Sequence, residues 1–371
     1  MSINKMDVYK INGEKIDIFL NKLKKISTER ILNLIFSNLA RKFGIFISEL
    51  HPVGFFLEVV RGCNFKCIMC SAWKFPKSSI TYEQAKRILP YFRKSLMFHA
   101  YGIGEPFLNR DIYDIVKYAS YELKFITYIT SNFSVIDPQK VLEMGANEIM
   151  VSIDSTDPEN FYAIRQGRFE LVERNLKILT QLKGEKKYPI ISIRTVISKH
   201  NIHELENIIK FGTSLNIRKF YFQTLVDGNL CSKKDDIDTN DISEIYKVVN
   251  KYKKEAKLII TSYRSDFKGD VPEGYCPVAF SLSSIDYRGN VYPCYRVVDD
   301  VNASFGNIFY EPQKVLKNRN LFLKKFRSSP PEFCKKCELY FRSFKSFGGL
   351  KSSKPKNINK EDTNEENIVC Y

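Results

Sequence analysis

The chain has 371 residues, 44% of them hydrophobic and 27% charged, with a formal net charge of +16. That is ample apolar material for a large core and enough length for two domains. No apolar run reaches the roughly 18 residues that cross a bilayer, the start MSINKMDVYK is too polar for a signal peptide, and the lysines are scattered rather than blocked, which argues against a nucleic-acid partner.

A cytoplasmic location follows. Nine cysteines are too few for a disulfide scaffold at this length; clustered in a reducing compartment, they point to metal binding or chemistry.

Residues 1–52 read as a mostly helical segment. Ile31, Leu32, Ile35, Phe36, Leu39 and Phe43 recur at helical spacing. This stripe either packs on the main domain or lies on a membrane surface or substrate carrier, with Arg30, Arg41 and Lys42 outward.

Between 53 and 235, strand-like and helix-like segments alternate. The strand candidates are FFLEVVR (55–61), LMFHAYG (96–102), FITYIT (125–130), EIMVSI (148–153), IISIRTVI (190–197) and KFYFQTL (219–225). They are β-branched, aromatic and too apolar for a solvated face, as parallel strands covered on both sides are. Helices are expected over 81–93, 111–121, 158–182 and 202–215, the first opened by Thr81 with Glu83–Gln84 in an N-cap pattern. Six such units predict an α/β fold, a partial (β/α)6 TIM-like barrel whose active site lies in the loops after the strands. Over 236–345 a linker helix (239–256), a hairpin turning at Arg288–Gly289–Asn290, and a helix (312–327) lead into a small cysteine-rich domain. The tail, 346–371, is polar and reads as disordered.

Residues 63–70 read CNFKCIMC, a C-x3-C-x2-C group directly after the first strand. Three thiolates suffice for three irons of a 4Fe–4S cluster and leave the fourth iron open to a small molecule. Structural zinc wants four protein ligands, and no fourth Cys or His lies nearby in sequence. This motif at the end of the first strand of a β/α barrel resembles the radical SAM superfamily. The resemblance implies that Cys63, Cys67 and Cys70 hold the cluster. It also implies that S-adenosylmethionine (SAM) chelates the open iron, and that its reductive cleavage yields a 5′-deoxyadenosyl radical that takes a hydrogen atom from the substrate. Met69 departs from the family's usual aromatic residue, although a thioether also packs well beside a cofactor.

YGIGEP (101–106) is similar to the family's Gly-Gly-Glu-Pro motif, with Ile103–Gly104 in place of the two glycines. The resemblance puts the backbone of Gly102 and Gly104 near the methionine amino group, with Glu105 and Pro106 shaping the turn; the plainer alternative is an ordinary G-x-G turn. Thr130–Ser131–Asn132 and Ser152–Ile153–Asp154 end the third and fourth strands. Ser131, Asn132, Ser152 and Asp154 are therefore candidates to bond a ribose or carboxylate in the barrel mouth, while Asp154 has the alternative of capping a turn. FYAIRQGRFELVERNL (161–176) is similar to a family segment whose arginine meets the SAM carboxylate. Arg165 is the matching residue, with a surface role as its alternative. Gln223 faces either the mouth or the core.

Cys276, Cys294, Cys334 and Cys337, read with Gly289, form C-x12-G-x4-C followed by C-x2-C. Four thiolates make a closed zinc site or fully ligate a second 4Fe–4S cluster. The resemblance favours the cluster, because the pattern looks like the SPASM extension or its shorter twitch form. Only Cys370 follows Cys337, which fits the twitch form better. Cys231 and Cys370 read as spare thiols.

The resemblance implies an enzyme with an auxiliary cluster that assists oxidation and a flavodoxin- or ferredoxin-type electron donor. The first expectation for the reaction is dehydrogenation of a small hydroxylated molecule such as a sugar or aminocyclitol. The alternative is maturation of a ribosomal peptide or protein by thioether or carbon–carbon crosslinking. A third reading makes both cysteine groups structural, in a non-catalytic zinc-binding adaptor.

Overall fold

All six apolar runs form strands, because β-branched and aromatic side chains fill a pleated surface covered on both faces. They are β1 (Gly54–Glu58), β2 (Met97–Tyr101), β3 (Ile126–Ser131), β4 (Glu148–Ser152), β5 (Ile190–Ile197) and β6 (Lys219–Thr224). Each runs parallel to the next, in registers such as Gly54↔Met97, Met97↔Ile126 and Glu148↔Ile190. The computed structural model describes residues 27–43, 47, 50–225, 237, 239–261, 276–326, 328–335 and 337.

The sheet is larger than six units. β7 (Lys257–Thr261) joins parallel to β6, and β8 (Leu282–Ile285) joins parallel to β1 on the other side. β9 (Val291–Tyr292) turns back antiparallel on β8, giving the order β9-β8-β1-β2-β3-β4-β5-β6-β7. The region expected as linker and small domain thus supplies three strands to the barrel sheet. The expected hairpin at 288–290 is present, with Gly289 at φ 90°.

Helices cover the outer face. The expected helix 81–93 forms over Tyr82–Ile88 with a complete capping box: Gln84 N donates to Thr81 Oγ1, and Thr81 N donates to Gln84 Oε1. The expected single helix 158–182 is instead two, Pro158–Arg165 and Phe169–Lys183. They break where Gln166 is left-handed and Gly167 lies against the Phe65 ring, with no room for a Cβ. Under the helices, Phe55, Phe92, Phe98 and Phe125 pack ring on ring, with 4.5 Å between the centroids of Phe55 and Phe92.

The first described helix, Thr28–Phe43, docks by a face the periodicity does not predict. Arg30, expected outward, is buried. Its guanidinium donates to Arg93 O, Lys124 O and Leu123 O at 2.6–2.7 Å, carbonyls left over where two outer helices end. The apolar stripe points the other way, with Leu32, Ile35, Phe36 and Leu39 each 38–46% exposed. The side chains of Arg41, Lys42 and Phe43, and the tail, lie outside the described residues. No described helix is long and apolar enough to cross a membrane.

Inward-facing residues fill the barrel in layers. At the bottom, Lys219 Nζ pairs with Glu148 Oε2 at 2.7 Å, and Ser192 Oγ donates to Glu148 Oε1 at 2.8 Å. Met150, Tyr221 and Ile259, with Tyr128, form the apolar middle. Phe56 stacks on His99 there, centroids 4.9 Å apart, and His99 Nε2 lies 3.2 Å from Thr130 Oγ1. Tyr101, Ser152, Arg194 and Gln223 form the upper layer, at the C-terminal ends of the strands.

Candidate functional site

The loop after β1 carries Cys63, Cys67 and Cys70, and three attachments hold it. Gly62 N donates to Ile103 O at 2.8 Å, Glu105 N donates to Gly62 O at 3.3 Å, and Ile68 N donates to Ile164 O at 2.9 Å. The first two need the glycines of YGIGEP: a Cβ at Gly102 would collide with Val60 O, and one at Gly104 with Gly62 O. Here the backbone has no room for any side chain, which an ordinary turn does not require.

Backbone and amide donors converge on the thiols. Phe65 N lies 3.4 Å and Asn132 Nδ2 3.7 Å from Cys63 Sγ, and Ala72 N lies 3.4 Å from Cys70 Sγ. Burial pushes Cys63 up to about 11 and Cys67 up to about 12, and a charge on Cys70 raises both further. A metal reverses that preference, since coordination deprotonates a thiol. Three thiols in one short loop, with N–H donors on Cys63 and Cys70, are a donor set suited to an iron–sulfur cluster.

Glu105, Ser131 and Asn132 brace this loop. Ser131 Oγ donates to Glu105 Oε1 at 2.7 Å, while Asn132 N and Phe107 N donate to the same carboxylate at 2.6 and 3.2 Å. Burial raises Glu105 to about 7, against these three donors. Pro106 opens the short turn that Glu105 caps. Asn132 Nδ2 also bonds Asn64 Oδ1 at 2.9 Å, inside the cysteine loop.

Arg165 is buried rather than on the surface. Its Nη2 lies 2.7 Å from Asp154 Oδ2, and Asp154 Oδ1 accepts from Val196 N at 2.8 Å. The ion pair is off-axis: Asp154 Oδ2 and Arg165 Nε are both buried without a hydrogen bond. Burial raises the Asp154 carboxyl, and the guanidinium opposes it. An Nε donor beside Cys67 with no acceptor fits the carboxylate of SAM. Ser152 ends β4 half-buried, opposite Arg194 in the ladder. Gln223 faces the mouth, where its Oε1 accepts from Arg194 Nη2.

The second group also assembles. Cys276, Cys294, Cys334 and Cys337 line one cavity of about 360 Å³, with Val278, Phe326 and Arg296 among its walls. That is many times the roughly 30 Å³ of a single water. Among the described residues no three His, Cys, Asp or Glu side chains converge on a point for one metal ion. Four thiols around so large a space fit a cubane cluster. Burial holds Cys276 at about 11 and Cys294 at about 12, and raises Cys334 as well. Cys231 and Cys370 lie outside the described residues.

Three arginines that sequence reasoning did not single out surround the two groups and the barrel mouth. Arg61, two residues before Cys63, pairs with Glu58 and with Asp299 of the C-terminal region, each at 2.8 Å. Arg319 is fully buried and donates to Ser283 Oγ, Leu50 O and Phe280 O. Arg194 is a lone charge inside the apolar run of β5, which was the signal that this face lines a lumen. Tyr101 lies between the groups: burial raises it first, then Glu58, with both Cys70 and Cys294 close enough to add.

Two family models match the chain: the radical SAM superfamily over residues 57–212, and the SPASM iron–sulfur cluster-binding domain over 276–338. Among curated proteins, the mycofactocin maturase MftC of Mycolicibacterium smegmatis is 23% identical over 45% of this chain and 44% of its own length. A GTP 3′,8-cyclase of Tolumonas auensis is 29% identical over 41% of this chain and 47% of its own. The chain thus spans less than half the length of these relatives. Streptococcus suis SuiB bound to SAM superposes with a TM-score of 0.64 at 19% identity, over 88% of this chain and 81% of that one. SuiB bound to its precursor peptide SuiA gives 0.63 at 18%, over 83% and 74%. The first expectation for the reaction, dehydrogenation of a small hydroxylated molecule, is not supported by these relatives.

Proposed function

Because the chain belongs to the radical SAM superfamily and carries a SPASM domain beside its barrel, we propose that it is a maturase that modifies a ribosomally made peptide or a partner protein by radical chemistry. The observation that carries the radical assignment is the three-cysteine loop locked on the Gly102–Pro106 turn, with Arg165 Nε unsatisfied beside it. The peptide reading is supported by MftC, itself a maturase, and by the fold shared with SuiB, a protein captured with a precursor peptide.

In this reading Cys63, Cys67 and Cys70 would hold a 4Fe–4S cluster that also takes SAM. Cys276, Cys294, Cys334 and Cys337 ligate the auxiliary cluster completely. Bound at the first site, a cluster would supply the one-electron reduction that cleaves SAM; bound at the second, it would supply an acceptor for an electron lost by the substrate. Arg165 holds the SAM carboxylate through Nε. The backbone of Gly102–Gly104 meets the amino group, and Glu105 fixes that turn through Ser131 and Asn132. Ser152, whose side chain has no hydrogen-bond partner among the described residues, would meet the ribose. A flavodoxin- or ferredoxin-type donor approaches on the side of Cys70, the exposed thiol of the three.

Anaerobically reconstituted protein, reduced with dithionite, should turn SAM into 5′-deoxyadenosine and methionine. Mass spectrometry on short peptides encoded beside the gene should then find one that loses hydrogen on incubation. Wild type that makes no 5′-deoxyadenosine would overturn the radical assignment. Abundant 5′-deoxyadenosine with a small polyol oxidised and every peptide untouched would overturn the maturase reading.

A further inference from the structure

We infer that Arg194 is the substrate-positioning residue of the barrel mouth, where its guanidinium takes a carboxylate of the peptide. This rests on the maturase reading and specifies what part of the peptide is recognised.

The argument is an inventory of charge. Glu148 has Lys219 at 2.7 Å, Glu58 has Arg61 at 2.8 Å, and Asp154 has Arg165 at 2.7 Å. In the C-terminal region Asp286 has Arg288 at 3.0 Å. Glu105 has no cation but three donors. Arg30 and Arg319 are also buried without a carboxylate, but each has three acceptors; Arg194 has, among the described residues, one side-chain partner, the neutral Gln223 Oε1, and no carboxylate. A cation in a walled lumen without a counter-charge is costly to the apo fold. Such a cost persists where a ligand brings the missing charge.

The surroundings fit that use. Arg194 lies opposite Ser152 in the ladder and near His99 and Tyr101. Burial, with Arg194 adding to it, holds His99 at about 3, so the ring stays neutral and the lumen presents a single positive point. Gln223 occupies one donor of a five-donor fork, leaving a flat edge suited to a bidentate carboxylate. Tyr101, within electrostatic reach of Arg194, is also within reach of Cys70 and Cys294. A carboxylate held here places the peptide between the two cysteine groups.

The carboxylate has three sources: an acidic side chain, the peptide C-terminus, and SAM itself. Arg165, beside Cys63 and Cys67, already serves SAM in the proposed site, so the inference commits to the peptide. The test uses reconstituted holoenzyme with SAM and three acetylated tetrapeptide probes: Ala-Tyr-Glu-Ala amide, Ala-Tyr-Gln-Ala amide, and Ala-Tyr-Gln-Ala with a free C-terminus. Calorimetry should show one of the two carboxylate probes binding more tightly than the neutral one, by about 10- to 150-fold, the range of a charged hydrogen bond. Arg194→Gln should erase the preference, and Arg194→Lys should restore part of it, which a merely structural role would not do. Equal binding of all three probes by wild type overturns the inference. So does a fall in SAM affinity in Arg194→Gln as large as the fall in probe affinity, which assigns the carboxylate to SAM. Formation of 5′-deoxyadenosine by the same wild-type preparation separates either outcome from failure of the radical assignment.

Discussion

The barrel and the cysteine-rich region beside it reach stability by different routes. The barrel has a continuous core, from Phe55 and Leu57 through Ile129, Ile149 and Ile193 to Phe220 and Phe222, with no cysteine inside it and Cys63 and Cys67 packed against its edge. Around the second cysteine group the buried apolar cluster is Cys276, Val278, Ala279 and Phe326, with Cys294, Cys334 and Cys337 packed against it. One set of cysteines sits on a finished fold; the other makes up much of the core it sits in. Two sites of similar chemistry therefore differ in what the metal does for the chain.

The strongest way to break this contrast is to remove each set of thiols. With Cys63, Cys67 and Cys70 changed to Ala, 5′-deoxyadenosine should fall to background, while circular dichroism and the melting temperature stay close to wild type. With Cys334 and Cys337 changed to Ala, bound iron should fall from about eight atoms per chain to about four. Proteolysis should then cut within 276–337 first. A cysteine-rich region that stays protease-resistant without its thiols would remove the distinction.

Buried charges should separate the regions next. Arg165→Ala leaves Asp154 enclosed with a backbone N–H and no cation, which should cost about 3–5 kcal/mol in chemical denaturation. Arg288→Ala strips a partner from Asp286, which is equally buried, but Asn290 N, Asn290 Nδ2 and Arg288 N still donate to it. Because Arg288 is itself half-exposed, that loss should be about 1 kcal/mol or less. Equal losses would mean that solvent reaches both sites alike.

Glycines give a finer test. Gly102→Ala forces a methyl into Val60 O, a backbone atom that cannot step aside, and should cost about 2–4 kcal/mol. Gly289→Ala meets the Phe309 ring at φ 90°, and the ring can shift, so about 1–2 kcal/mol is expected. Melting curves of the two variants should rank in that order.

Mild acid should act through histidines that lie outside the cysteine-rich region. All four histidines lie before residue 204. Burial holds His51 at about 4 and His99 at about 3, below the ordinary 6.5. Both rings exclude a proton when folded and accept it on unfolding. Their contribution is complete above pH 6.5 and is lost as the pH falls toward 4 and 3, reaching about 2 kcal/mol for each ring by pH 5. His99→Phe should flatten the pH dependence of unfolding between 6.5 and 5; an unchanged slope would show that His99 is solvated.

The barrel strands were legible because each is a short apolar run that buries both faces, and the cysteine spacings were legible because ligands keep their distances in sequence. What escaped was non-local. KLIIT (257–261) follows a lysine-rich helix end, and only its pairing with Lys219–Gln223 makes it a strand. The hairpin at 282–292 reads as a small-domain feature, since nothing in it states that β1 is its neighbour. Arg30 reads as solvent-facing because charge usually is, yet three stray carbonyls bury it. The break at Gln166–Gly167 was written in the sequence as a polar residue and a glycine, but its reason, the Phe65 ring, is a hundred residues away.

The ladder between β1 and β8 also sets a timetable. Gly54 pairs with Leu282, so β1 leaves the ribosome more than two hundred residues ahead of its neighbour. At ordinary elongation rates of about 5–20 residues per second, that is a wait of about 10–45 s with one flank of an apolar strand uncovered. A nascent chain in that condition is open to pairing with other strands. Slowed translation anywhere between 60 and 280 should therefore lower the yield of soluble protein, and an excess of chaperone that shields exposed strand edges should restore it.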